Sequence, residues 1–192
     1  PQIQLIRDCL DNEITAVCVR DTELERVLSE LKSVSLVVTD SQIFKKVSAI
    51  VPKEIKLTSF SMLMAYSKGD INTLADCAGA INNLKDNSRI LMAEACSHNT
   101  SHEDIGRVKI PNMLRQYTGK NLIFDYCVHH DFPDDLGEYD LVIHCGGCML
   151  NEAEMKSRLK RAEEQNIEIV NYGMAIAYMN GILERSLEVF QA

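Results

Sequence analysis

The sequence predicts an α/β protein built as two small α/β domains with mostly parallel sheets, the second Rossmann-like with its chemistry at strand carboxyl ends. Three observations predict it. Short apolar, partly β-branched runs alternate with helical periodicity along the whole chain. Two of those runs lead directly into clusters of cysteine and histidine. A length of 192 residues, 46% apolar and 25% charged, suits one large domain or two small ones.

Residues 14–19 predict a first strand. Thr22, with Glu25 three residues on, reads as a capping box that opens a helix, and Leu24, Val27, Leu28 and Leu31 share one of its faces. Residues 34–39 predict a second strand, closed by Asp40 and Ser41, either of which could cap a helix continuing to Val51, where Pro52 stops it. A third strand over 55–58 precedes helices over about 59–67 and 70–84. The polar turn Lys85-Asp86-Asn87-Ser88 is the natural boundary, giving domains 1–86 and 87–192.

The second domain opens with a strand over 89–95 that runs into Cys96. A polar loop leads to Pro111 in the first turn of a short helix ending near Gly119, then to a strand at 122–124. After an acidic loop with Asp131, Asp134, Asp135, Glu138 and Asp140, a strand at 141–143 runs into His144 and Cys145. Asn151 caps a helix with Met155, Leu159 and Ala162 facing inward and the pairs Glu152–Lys156 and Glu154–Arg158 one turn apart. The last strand, 167–172, is followed by a helix that opens at Gly173 and is apolar nearly all round, hence buried.

Composition narrows the function classes. The formal charge of −8 argues against a general nucleic-acid binder, and no apolar run approaches the ~18 residues of a membrane span. The first domain carries 10 basic and 12 acidic residues and the second 10 and 16, so six of the eight negative charges fall in the second. Seven cysteines without a visible secretion signal point to a reducing, cytoplasmic setting. The chain begins at Pro1 rather than Met, and the expectation is that it is part of something longer.

The strongest chemical signal is Cys96-Ser97-His98 together with His144-Cys145-Gly146-Gly147-Cys148. Each cluster follows an apolar strand, and the carboxyl ends of strands in an open parallel sheet emerge on one edge, where ligands bind. Three thiols and two imidazoles could thus surround one point, with Gly146 and Gly147 letting the backbone wrap closely. Soft sulfur ligands suit zinc or an iron–sulfur cluster. A Cys₃His zinc site and a cubane on three cysteines are both chemically reasonable, and a thioredoxin-like dithiol is a further rival. Cys9, Cys18, Cys77 and Cys127 read as structural thiols, and His129-His130 as part of a solvated surface. His102 is a weaker candidate near the site.

These residues also carry a resemblance. Ala95-Cys96-Ser97-His98, Asp104-Ile105-Gly106-Arg107-Val108-Lys109-Ile110-Pro111, residues 142–151 and Asn171-Tyr172-Gly173 resemble the cluster-binding part of the [FeFe]-hydrogenase maturation protein family HydF. Residues 39–42 and 57–61 are similar to its dimerisation domain. The resemblance implies a GTPase domain, a dimerisation domain and a cluster-binding domain, of which this chain holds the last two. It contains no G-x-x-x-x-G-K-[ST] phosphate loop, so GTP belongs only to the missing domain. The resemblance further implies a [4Fe–4S] cluster on Cys96, Cys145 and Cys148, with His98 and His144 beside it or one of them as an exchangeable fourth ligand; Glu103 and solvent remain open for that place.

The function implied is that of a scaffold and carrier, which holds a di-iron subcluster precursor as cargo at the open iron and delivers it to apo-[FeFe]-hydrogenase. Arg107 and Lys109 are candidate contacts for that anionic cargo. Expected partners are a second copy in a homodimer, apo-hydrogenase and the radical-SAM maturation proteins, with neither nucleic acid nor membrane. The rival is a zinc- or dithiol-dependent enzyme using the same Cys/His set.

Overall fold

The computed structural model describes residues 2–69, 71–95, 105–129 and 131–191. Helix α1 (Gln2–Asp11) lies exposed, with no buried residue. The predicted strand over 14–19 does not form. Ile14 and Val17 are more than half exposed, and a β-branched run becomes a strand only where a neighbouring edge completes its hydrogen bonds. Helix α2 (Leu24–Glu30) starts at Leu24 with Glu23 as N-cap and no side-chain cap bond, so the predicted capping box is also absent.

A two-stranded parallel sheet follows, β1 (Leu36–Thr39) against β2 (Lys56–Ser59), in register from Leu36↔Lys56 to Thr39↔Ser59. Between them Asp40 accepts the amide of Gln42 at 2.9 Å and starts a 3₁₀ turn (Ser41–Ile43). Helix α3 (Phe44–Ile50) continues from it and stops two residues before Pro52. Leu24, Phe44, Val47, Val51 and Leu57 fill the small core of this sheet. Helix α4 (Phe60–Lys68) is capped by Ser59. Helix α5 (Ile71–Asp76) and a 3₁₀ stretch (Cys77–Asn83) then place Ile71, Leu74, Ala78 and Ile81 in a second, larger core.

That core surrounds a four-stranded, all-parallel sheet of β3 (Arg89–Glu94), β4 (Ile123–Val128), β5 (Leu141–His144) and β6 (Ile169–Asn171) in the order β4-β3-β5-β6. Helices α6 (Ile110–Thr118) and α7 (Glu152–Glu164) provide the crossovers after β3 and β5. Helix α8 (Tyr172–Met179) is buried along most of its length, as its apolar circumference predicts. The chain runs from β3 outward to the edge strand β4 and returns past β3 to β5, so the strand order reverses between β3 and β5, the place where such folds bind ligands. The predicted α/β class with mostly parallel sheets is the observed one.

The two sheets are bound together. Met62 and Ala65 of α4 sit in the larger core. The chain end returns as α9 (Leu183–Leu187), where the Ser186 carbonyl accepts the Thr58 hydroxyl at 3.0 Å and Arg185 donates to the carbonyls of Ser48, Val51 and Pro52 at 2.8 Å each. Among the described residues no helix is long and apolar enough to cross a membrane.

Candidate metal centre

The carboxyl ends of β1, β2, β3, β5 and β6 converge on one cavity of about 410 Å³. Asp40, Ser41 and Gln42 come from the end of β1, and Phe60, Ser61 and Met64 from the helix after β2. Glu94, Cys145–Cys148 and Tyr172 come from the ends of β3, β5 and β6. The segment before α6 enters through a single π-helical turn, Ile105–Lys109, whose Gly106 has no room for a side chain: a Cβ there would overlap the Tyr172 hydroxyl and lie 2.8 Å from Glu94 Oε1.

The Cys145–Cys148 turn is held from three directions. Cys145 Sγ accepts the backbone N–H of Ala95 at 3.0 Å, which binds the ends of β5 and β3 together through sulfur. Lys68 Nζ, at the end of α4, donates to the carbonyls of Gly147 and Cys148 at 2.9 Å each. Beneath, His144 is buried with 1% exposure. Its Nδ1 lies 2.6 Å from the Cys145 carbonyl and must donate, so Nε2 carries the lone pair and accepts from Arg158 Nη1 at 3.0 Å. Burial pushes the His144 imidazole down to about 4, with the Arg158 cation adding to the shift, so it is neutral at pH 7. Gly147 is left-handed (φ +61°), and a Cβ there would sit 2.8 Å from Met155 Cε; the turn requires glycine at this position.

Arg158 is buried, with 3% exposure, and joins His144 to Glu154 Oε1 (2.9 Å) and to the His129 carbonyl (2.5 Å). Its guanidinium lies 5.0 Å from the Phe132 ring centroid. The predicted pair one turn apart is present, but it points into the protein.

Of the predicted site residues, the structure brings Cys145, Cys148 and His144 together. Cys96, His98, Glu103 and His102 lie outside the described residues. Arg107 and Lys109 do not line the cavity. Arg107 pairs with Glu94 at 3.2 Å and stacks on Tyr126, and Lys109 Nζ donates to Gln42 at 2.6 Å, so each stands behind a lining residue. Sequence reasoning missed Glu94, Lys68, Ser61 and Arg158. Glu94 stands two residues before Cys96 in the sequence, and that spacing was the one signal that could have found it. Ser61 donates to Asn171 Oδ1 at 2.5 Å across the two sheets, a contact with no local signature.

The remaining thiols divide. Cys127 is buried and Cys77 half-buried, and burial raises them to about 11 and about 12, as inert structural thiols require. Cys18 departs from its predicted place inside a strand, because that strand is absent and the residue is exposed.

Among the described residues no three His, Cys, Asp or Glu side chains are grouped to hold a metal ion. The donor set is nevertheless of the kind such a centre needs: two thiols on one cavity wall, one of them accepting an amide hydrogen bond and both on a turn that a lysine grips. Fold and site together define a two-module α/β protein with two cysteines, Cys145 and Cys148, at the switch point of its larger sheet. The chain belongs to the HydF family of hydrogenase maturation proteins: residues 1–69 match the Hydrogen maturase F dimerization domain and residues 72–189 the Hydrogen maturase F tetramerization domain. It thus carries two domains the family uses for self-association and has a role in hydrogenase maturation. A search of curated proteins found no match.

Proposed function

We propose that the chain is a scaffold and carrier in hydrogenase maturation, binding a [4Fe–4S] cluster through Cys96, Cys145 and Cys148 and passing a di-iron subcluster precursor to apo-[FeFe]-hydrogenase. One observation carries this reading: Cys145 Sγ lies 3.0 Å from the amide of Ala95, the residue before Cys96, with Cys148 on the same cavity wall. Held by three cysteines, such a cluster leaves one iron open to ligand exchange, which is the property a carrier needs. Both ring nitrogens of His144 are hydrogen-bonded, which supports a role in orienting the turn and favours His98, Glu103 or solvent for the fourth position. Arg107 and Lys109 add positive charge behind Glu94 and Gln42, where an anionic cargo would enter. The cargo would be made by radical-SAM maturation proteins, and GTP would act on a separate domain.

Anaerobic reconstitution tests the ligand set. The wild-type chain should turn brown, absorb broadly near 400 nm and hold about four irons, whereas Cys96→Ser, Cys145→Ser and Cys148→Ser should each lose most of the iron and sulfide. A colourless protein holding one zinc, or full cluster retention in Cys96→Ser, overturns the reading.

A further inference from the structure

We propose that Lys68 is a positioning residue of the cysteine centre, through which the dimerization module grips the Cys145–Cys148 turn and sets the charge beside its sulfurs. The inference rests on the cluster reading for its second readout only. Lys68 belongs to the segment matching the dimerization domain, while the turn belongs to the segment matching the tetramerization domain. Its ammonium donates to two consecutive carbonyls, Gly147 and Cys148, both at 2.9 Å.

This turn needs such an anchor. It contains two adjacent glycines, one of them left-handed, and glycine-rich backbone loses the most conformational freedom when it is ordered. His144 and Arg158 fix only its start, at the Cys145 carbonyl. Lys68 acts on the other half, where the Gly147 carbonyl also accepts the Leu150 amide at 3.0 Å.

The approach of α4 that delivers Lys68 is also specified. A Cβ at Gly69 would sit 3.1 Å from Leu159 Cδ1 and 3.7 Å from Met155 Cγ, so glycine lets the end of α4 lie against α7 directly behind the turn. At the carboxyl end of α4 the lysine also complements the helix dipole, which helps hold the ammonium in place. The ammonium thus stands one peptide group from the Cys148 side chain. It stabilises the more negative, reduced form of any cluster bound there.

Two variants of the whole chain, Lys68→Met and Lys68→Arg, test the role with two readouts. In the metal-free chain, hydrogen–deuterium exchange of peptides covering residues 145–150 should quicken several-fold in Lys68→Met and return toward wild type in Lys68→Arg. In the reconstituted chain, an EPR-monitored redox titration should give Lys68→Met a lower midpoint potential, a change that loss of packing alone would not produce. Wild-type exchange in Lys68→Met, or an unchanged potential beside a wild-type cluster, overturns the proposal. If the wild-type chain takes up no cluster while the exchange in Lys68→Met quickens, the cluster reading falls and the grip of Lys68 on the turn stands.

Discussion

The two sheets of this protein solve the same problem unequally. The four-stranded sheet is enclosed by its own helices, and Ile90, Met92, Leu141 and Ile143 are completely buried within it. The two-stranded sheet has five core side chains and borrows α9, which returns from the far end of the chain to cover β2. Small cores bury too little surface to stand alone, so dependence on neighbours is expected for the smaller sheet. The site follows the same division. The self-sufficient sheet supplies the cysteines, while the dependent one supplies Ser41 and Ser61, which line the cavity, and Lys68, which holds the cysteine turn. A centre split in this way is only as well formed as the joint between the sheets.

The severest test of that dependence is Phe44→Ala. Phe44 is fully buried in the small core, and truncating such a side chain costs about 4 kcal/mol. Because α4 contributes to the larger core and α9 covers β2, the variant should unfold in one transition at lower denaturant, with circular dichroism and tyrosine fluorescence coincident. A biphasic curve in which the four-stranded sheet survives would break the comparison and make the small sheet an independent unit.

The same division explains what could be read from the sequence. The strands at 36–39, 89–94 and 141–144 announce themselves as apolar runs, and Asn151 caps its helix in the predicted place. Residues 14–19 have strand composition but no partner edge, and strand formation depends on the partner. The cysteine pair was legible because its spacing is local. Lys68 was not, because its carbonyl acceptors lie 79 and 80 positions away and a lysine at a helix end is ordinary. Arg158 looked like half of a surface ion pair, since its spacing to Glu154 is the same whether that helix face meets water or the interior.

A gentler perturbation acts beneath the cysteine turn alone. His144 is pushed down to about 4 by burial and is neutral in the native state, whereas the unfolded chain protonates it near 6.5. Between these values the unfolded state binds more protons, so stability falls as pH falls. From pH 7 to pH 5 the metal-free chain should lose about 2 kcal/mol through this group. Denaturant titrations at the two pH values should show that loss in the wild type and less of it in His144→Gln, whose amide can still bridge Cys145 and Arg158. An equal loss in both proteins would place the acid sensitivity elsewhere.

The smallest expected effect lies at the joint itself. Gly173 sits in the first turn of α8, where alanine would ordinarily stabilise a helix by up to about 1 kcal/mol. Here a Cβ would lie 2.7 Å from Ser61 Cβ and 2.9 Å from Ser41 Oγ. The Ser41 hydroxyl can rotate away, but Ser61 Cβ is fixed to the backbone of α4, so α4 and α8 must separate. Overpacking of this kind costs roughly 1–3 kcal/mol and would also stretch the Ser61–Asn171 hydrogen bond. The helix gain offsets part of that, leaving Gly173→Ala less stable by about 1 kcal/mol. Removing the opposing atom separates the two terms: Ser61→Gly combined with Gly173→Ala should recover stability relative to Ser61→Gly alone. A thermal melt in which Gly173→Ala is more stable than wild type would mean that the sheets have slack between them, and the tight joint on which Lys68 depends would no longer be needed to explain the fold.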